Sequence, residues 1–357
     1  MKGLAFSLAC SEADVDQAFA LALSIFEPQS GMSGYESHKI FLWKSDPSYA
    51  LENFVLARAV DGSICGLIRI VPRKIFRGAE KFSVAGISSV CLSARYRGNG
   101  NSLGLMQYAL ECCRKREFDF AFLFARRSAD NYYTRFGFHG ISSYSRISVN
   151  HANLRIDPKF EVRPSSEAFL ELYASAYEKC YAEVFGRVER SSSYWQFLLR
   201  RFSASSSEKF ETLYFEGMPV GYVVTGASVH ELAVAHPVGG ESLIAFLGQK
   251  LTSGMSERNI QFDMSPQHAL VGQLSGMDST LSIRECAFGG HMACILNVES
   301  LLERVVRQYP GIYLGGIVGG KLSHVDTCKI LGAYAITVAE DPGRKLLPYH
   351  MSSLDHF

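Results

Sequence analysis

Charge of one sign is what this chain has least of. Its 36 Lys and Arg residues stand against 35 Asp and Glu, a net charge of +1 over 357 residues. Such a balance provides no long-range field to gather nucleic acid or an anionic membrane surface. Long apolar runs are also missing. None reaches the roughly 18 to 20 residues that cross a bilayer, and the opening stretch Leu4 to Cys10 is too short for a signal-peptide core. The nine cysteines, an odd number, contain no C-x-x-C pair of metal-ligand spacing. They read as reduced thiols of a cytoplasmic protein. The ten histidines form neither H-x-x-x-H nor H-E-x-x-H, so a zinc enzyme has no support. No G-x-x-x-x-G-K-[ST] occurs, and Gly98, Gly100 and Gly104 do not make the dinucleotide fingerprint.

Length and a hydrophobic content of 47% predict about two or three domains. Leu4 to Ala9 reads as a strand. Ser11, with Asp14 three residues on, caps a helix whose apolar face is Val15, Phe19, Leu23 and Phe26. A loop-rich stretch is expected from Pro28 to Ser45, carrying Gly31, Gly34, Tyr35, Glu36 and His38. Phe54 to Val60 and Ile64 to Val71 then flank the turn Asp61-Gly62. Ser83 to Leu92 reads as a strand, Asn101 to Arg116 as a helix with Leu103, Met106, Leu110 and Cys113 on one face, and Phe118 to Phe124 as a buried strand.

The pattern Asp61-Gly62-Ser63-Ile64-Cys65-Gly66-Leu67 returns as Glu216-Gly217-Met218-Pro219-Val220-Gly221-Tyr222, which predicts an internal duplication. In the second copy Val229 to Ala235 would be the counterpart of Ser83 to Leu92. It leads through Pro237, Gly239 and Gly240 into a helix from Glu241 to Leu251, without the arginine of the first copy. From about residue 291 the chain offers a helix around Val298 to Gln308, turns at Gly315-Gly316 and Gly319-Gly320, and an irregular tail.

One segment carries most of the chemical information. Val90-Cys91-Leu92 leads through Ser93-Ala94-Arg95-Tyr96 to Arg97-Gly98-Asn99-Gly100-Asn101-Ser102 and a helix. A glycine-rich turn between strand and helix leaves backbone N–H groups unpaired at the helix start. The glycines let the main chain come close to a phosphate, which the helix dipole also favours. Arg97 can add charge-assisted hydrogen bonds to the same anion. An ordinary strand-to-helix turn with surface arginines is the competing reading. Cys91 could be considered as a nucleophile and Cys112 with Cys113 as ligands, but neither has a His or acid at suggestive spacing.

Arg97-Asn99-Gly100-Ser102 resembles the acyl-CoA signature Arg/Gln-x-x-Gly-x-Gly/Ala of the GNAT superfamily, with Ser102 at a position usually occupied by Gly or Ala. Asp130-Asn131-Tyr132-Tyr133-Thr134-Arg135-Phe136-Gly137-Phe138 is similar to the family's second element, a helix ending in Tyr-x-x-φ-Gly-Phe before the last strands. The resemblance implies a mixed, mostly antiparallel, splayed α/β (α+β) sheet flanked by helices. It implies that Val90, Cys91 and Leu92 accept the pantetheine arm of acetyl-CoA. Arg97, Gly98, Asn99, Gly100, Asn101 and Ser102 would hold the pyrophosphate, and Ser128 and Ala129 would line the far side of the cleft. Tyr133 would then be the general acid that protonates the departing thiolate. A phenol with a pKa of about 10 suits that task. Tyr132, roughly 100° away on a helix, should pack instead. No metal is implied. The acceptor amine must lose a proton, for which the motif supplies no base.

Tyr133-Thr134-Arg135-Phe136-Gly137-Phe138-His139-Gly140, Tyr194-Trp195, His230-Glu231-Leu232 and the ending Leu354-Asp355-His356-Phe357 resemble the enhanced-intracellular-survival (Eis) type of GNAT protein. That resemblance implies a catalytic unit over residues 1–150 and a degenerate second GNAT-like unit over 151–290. A small sterol-carrier-like α/β unit over 291–357 and an oligomer complete the picture. It also implies that the terminal carboxylate of Phe357 is the base. The acceptor would be a small amine, an aminoglycoside-like amine or a lysine. A CoA- or lipid-binding sensor without turnover and a tandem-GNAT aminoacyl transferase stay open as alternatives.

Overall fold

The computed structural model describes residues 3–30, 35–77, 79–125, 129–150, 159–203, 205, 208–226, 228–236, 238–252, 259–274 and 281–308. The first half begins with strand β1 (Ala5–Leu8), helix α1 (Glu12–Ser30), helix α2 (Tyr35–Lys44) and strand β2 (Phe54–Arg58). Strands β3 (Ile64–Arg77) and β4 (Glu80–Leu92) form a long hairpin. Helix α3 (Asn101–Lys115), β5 (Phe120–Phe124), the short α4 (Asp130–Tyr133) and β6 (His139–Asn150) follow.

The expected cap of α1 is present. The Ser11 hydroxyl accepts the Asp14 amide at 3.2 Å, and the Asp14 carboxylate reaches back to the Cys10 amide at 2.9 Å. The stretch Pro28 to Ser45, expected to be a loop, is instead largely helical, since α1 runs two residues past Pro28 and α2 occupies Tyr35–Lys44. Ile40, Phe41, Leu42 and Trp43 are consecutive, so no helical period announces α2. It is buried from two sides: Trp43 packs on Phe19 and Phe54, while Phe41 stacks on Phe197. On α3, Leu105, Met106, Ala109, Leu110 and Cys113 are buried. Sealing a Leu or Met side chain from water contributes about 1.5–3 kcal/mol.

The second half repeats the order. It comprises β7 (Phe160–Pro164), α5 (Leu170–Tyr181), β8 (Arg187–Val188), α6 (Ser192–Ser203), β9 (Lys209–Phe215), β10 (Met218–Thr225) and β11 (Val229–Val234). Then come α7 (Gly240–Thr252), β12 (Asn259–Met264), α8 (Ala269–Leu274), β13 (Leu281–Ile295) and α9 (Val298–Gln308). The duplication holds at the level of register: Gly66 faces Leu92 across β3 and β4, and Gly221 faces Val234 across β10 and β11. A Cβ on Gly221 would lie 2.0 Å from the Ala233 carbonyl oxygen, and one on Gly66 would lie 2.8 Å from Leu92. Each glycine is therefore required by close approach.

All strands except β8, which pairs with β3, lie on one path in the order β1-β2-β3-β4-β5-β13-β6-β12-β11-β10-β9-β7. The halves exchange their last strands. β5 of the first half pairs with β13, and β12 of the second half pairs with β6. Residues 281–295 therefore straddle the boundary expected at residue 290 and belong to the ladder beside the first half. Among the described residues, no helix is long and apolar enough to cross a membrane.

Candidate active site

β4 and β5 run parallel and pair from Val84↔Phe120 to Ile87↔Leu123, then part. Just past that point β4 bulges. Leu67 faces Cys91 and Arg69 faces Ser88, so one residue of β3, Ile68, opposes two of β4, Ser89 and Val90. Ser89 there has φ of +52°, in the left-handed region where a side chain costs conformational energy. A bulge twists the strand and re-aims its polar groups. The result is a gap between two parallel strands, lined by the half-buried Ser88, Ser89 and Val90.

The turn after β4 is tied down at both ends. The Ser93 amide donates to the Cys65 carbonyl at 2.8 Å, Arg97 Nε donates to the Leu92 carbonyl at 3.1 Å, and Asn101 Nδ2 donates to the Tyr96 carbonyl at 2.9 Å. Between these anchors Gly98, Asn99 and Gly100 have φ of +87°, +51° and +78°. Three consecutive left-handed residues turn their amides toward the start of α3. The amides of Gly98, Asn99, Gly100, Ser102 and Leu103 make no hydrogen bond among the described residues outside the helix ladder. A Cβ built on Gly98 or Gly100 meets nothing within 4 Å. These glycines are required by φ, and the space before them is open, as a concavity for an anion needs. Gly104 has a different reason: a Cβ there would lie 2.8 Å from the Phe6 ring, so it lets α3 lie close on β1.

α4 brings two adjacent tyrosines to this corner. The Tyr132 hydroxyl donates to the Ser102 carbonyl at 2.7 Å. Tyr133 packs edge-on to Tyr132 and Phe138, with ring centroids 5.1 and 6.1 Å apart. Its hydroxyl has no hydrogen-bond partner among the described residues, and burial pushes the phenol up to about 12. Ala129 precedes α4 and is half-buried. Ser128 and Phe357 lie outside the described residues, as do Gly31 and Gly34 and the side chain of His38.

Val90 and Leu92 lie with the core under α3, whereas Cys91 points through the sheet into the core under α1. Burial pushes the Cys91 thiol up to about 12, and the Cys113 thiol likewise. Both are small hydrophobes here, since a nucleophile needs the thiolate. Among the described residues, no group of three or more His, Cys, Asp or Glu could hold a metal ion.

Residues 9–141 match the family described as Acetyltransferase (GNAT) domain. This stretch is a GNAT acetyltransferase domain. The domain runs from the entry to α1 through the gap, the glycine turn and α4 into β6. It is an acyltransferase domain of a family that takes acetyl-CoA as donor.

Solved structures share the fold well beyond this domain. A GCN5-related N-acetyltransferase from Anabaena variabilis is 18% identical with a TM-score of 0.61, over 84% of this chain and 75% of that one. A probable N-acyltransferase from Enterococcus faecalis is 17% identical with a TM-score of 0.61, over 84% and 74%. An Eis protein from Mycobacterium abscessus is 16% identical with a TM-score of 0.58, over 84% and 75%. At these identities the likeness is one of fold. Among curated protein sequences none matches this chain.

Sequence reading missed the polar side of the gap, made by Ser88, Ser89 and Arg69. Its signal was present: a Ser-Ser pair inside the apolar strand Val84 to Leu92, and one arginine inside the apolar run Leu67 to Val71.

Proposed function

We propose that the GNAT domain moves an acetyl group from acetyl-CoA directly to a primary amine, with Tyr133 as the general acid. The observation that carries this reading is the hydroxyl of Tyr133, without a partner among the described residues, beside a neighbour whose hydroxyl is already engaged. Arg97 to Ser102 would take the pyrophosphate, with the amides of Gly98, Asn99, Gly100 and Ser102 open to it, and Val90 to Leu92 would take the pantetheine. Ser128 and Ala129 would border the far side.

The amine nitrogen attacks the thioester carbonyl in the gap between β4 and β5. A C–N bond forms and the C–S bond breaks. The amine loses one proton, and the sulfur gains one from Tyr133. Polar main-chain groups at the bulge suit stabilisation of the oxyanion. A phenol at about 12 remains protonated throughout the neutral range. The terminal carboxylate of Phe357 is the base in this reading, by its Eis-type resemblance.

The accompanying organisation is a catalytic unit over 1–150 that borrows β13, a second GNAT-like unit over 151–290, and a small unit over 291–357. The reading also takes the protein to be cytoplasmic, in keeping with free thiols at Cys10, Cys65, Cys91, Cys112, Cys113, Cys180 and Cys294, and oligomeric, as the resemblance implies. The test is CoA release from acetyl-CoA with a panel of amines, for wild type, Tyr133→Phe and a chain lacking Phe357. Amine-dependent release that falls in both variants supports both assignments. Tight acetyl-CoA binding without release from any amine sinks the reading.

A further inference from the structure

Where β4 and β5 part, four strands contribute one transverse row. Ile87 and Leu123 are the last paired residues, so Ser88 and Phe124 stand at the mouth of the gap. Ser88 faces Arg69 on β3, and Phe124 faces His291 on β13. The row Arg69, Ser88, Phe124, His291 spans three strand intervals, about 14 Å at ~4.8 Å each and more across the gap.

Its face follows from alternation along the strands. Ile68, Ile70, Ile87, Leu123 and Met292, each one step along from a member of the row, belong to the core under α3. The row itself faces the other way, toward α1 and α2, where Arg69 lies against Trp43 and the Leu42 carbonyl. The glycine turn and α3 occupy one face, so an amine enters the gap from the face that carries the row.

That face is positively charged at one end. Asp46 is held by Arg73 in a two-pronged pair, Nη2 to Oδ2 at 2.6 Å and Nη1 to Oδ1 at 3.2 Å. Arg69 reaches the same carboxylate only with Nη2 at 3.3 Å. Although Arg69 is 6% exposed, its Nε and Nη1 donors have no acceptor among the described residues. Two guanidiniums over one carboxylate leave a buried positive charge, which is costly without a counter-ion. Lys39 on α2 and Arg201 on α6 lie within electrostatic reach of one another, and Lys39 of Arg69. Burial, then the charges of Arg69 and Arg201, hold the Lys39 ammonium below its ordinary value.

We infer that the acceptor is an amine that also carries a carboxylate, of amino-acid size. Its carboxylate docks on the open donors of Arg69, its side chain lies toward Phe124 and His291, and its amine points into the gap beside Ser88. The inference rests on the acyltransferase reading and names the substrate class for it. Charge-assisted hydrogen bonds to Arg69 fix the carboxylate. Polycationic amines meet like charge at the same place and are rejected.

The deciding comparison uses the full chain and wild-type protein, so it does not depend on the folding of a variant. CoA release from acetyl-CoA is measured with aromatic and aliphatic L-amino acids, with their carboxamides, and with spermidine. The carboxamides hold more of their amine in the reactive neutral form, so a preference for the acids cannot come from amine reactivity. The expected result is kcat/KM about tenfold or more higher for the acids, the worth of a charged hydrogen bond, and no use of spermidine. Lys39→Met should raise KM for the acids more than for the amides. Equal or better use of the carboxamides, or of spermidine, overturns the inference and leaves the acyltransferase reading standing. No release with any amine overturns both.

Discussion

The hydroxyl of Tyr132 donates to the main-chain carbonyl of Ser102 at 2.7 Å, joining α4 to the first turn of α3. That bond distinguishes two adjacent and chemically identical side chains. Tyr132 is tied to α3, and the Tyr133 hydroxyl, without a partner among the described residues, is the proton donor in the reading proposed above.

Tyr133→Phe should therefore lower kcat by about 10²-fold or more, the usual worth of a positioned acid, with little change in KM for acetyl-CoA. Tyr132→Phe should spare kcat, raise that KM several-fold, and cost about 1 kcal/mol of stability for one lost hydrogen bond. Steady-state kinetics and thermal melts of the two variants separate these outcomes. Because burial holds Tyr133 at about 12, kcat/KM should rise with pH as the acceptor amine deprotonates. Loss of the Tyr133 proton should give no falling limb below about pH 11.

Gly98 and Gly100 sit at φ of +87° and +78° with open space where a Cβ would go. Alanine at either site meets no clash and pays about 1–2 kcal/mol of left-handed strain. The turn relaxes and its amides swing away from the anion. Gly100→Ala should raise KM for acetyl-CoA about tenfold or more, while Gly217→Ala, at +80° in the β9–β10 turn of the second half, should leave KM unchanged.

In the second half, Arg190 and Glu231 form a fully buried two-pronged pair at 2.6 and 2.7 Å, and the Tyr222 hydroxyl donates to the same carboxylate. The Arg190 guanidinium lies over the rings of Tyr177 and Trp195. Glu231→Gln strands a buried cation, so it should destabilise the protein by about 3–5 kcal/mol. Chemical denaturation measures this. At a temperature where the variant is folded, kcat should stay within about twofold of wild type, since ΔΔG values at well-separated sites act independently.

Asp14 is nearly buried; it accepts Arg58 at 2.7 Å and the Cys10 amide at 2.9 Å. The Arg58 hydrogen bond, then the Cys10 amide, hold its carboxyl well below the usual carboxylate range. A depressed folded-state value means that the stabilisation is fully present above the unfolded value of about 3.9 and is lost as pH falls toward the folded one. The difference in Tm between wild type and Asp14→Asn should be full at pH 6 and shrink below about pH 4. An unchanged difference at pH 3 would contradict the assignment.

Much of the first half was legible in the chain. The Ser11 cap, the Asp61-Gly62 hairpin, the glycine turn and the α3 face are all local patterns, set by hydrogen bonds and periodicity within a few residues. The repeat of Gly66 at Gly221 was legible for the same reason, and the register pairs Gly66↔Leu92 and Gly221↔Val234 give it a physical basis. α2 was not legible, because its apolar residues are consecutive and two of them pack in different directions, Trp43 on Phe54 and Phe41 on Phe197.

By itself, then, the sequence determined a glycine-rich turn between strand and helix, a tyrosine pair some 30 residues on, and a duplicated hairpin. Tertiary structure alone decided which tyrosine is tied to Ser102, that β13 completes the sheet beside β5, and that Arg69, Ser88, Phe124 and His291 meet in one row. The physical reason is range. A turn or helix face is fixed by neighbours in the chain, whereas strand exchange and the row across the gap are fixed by pairing between residues up to about 170 positions apart, such as Phe124 and His291, which no local pattern encodes.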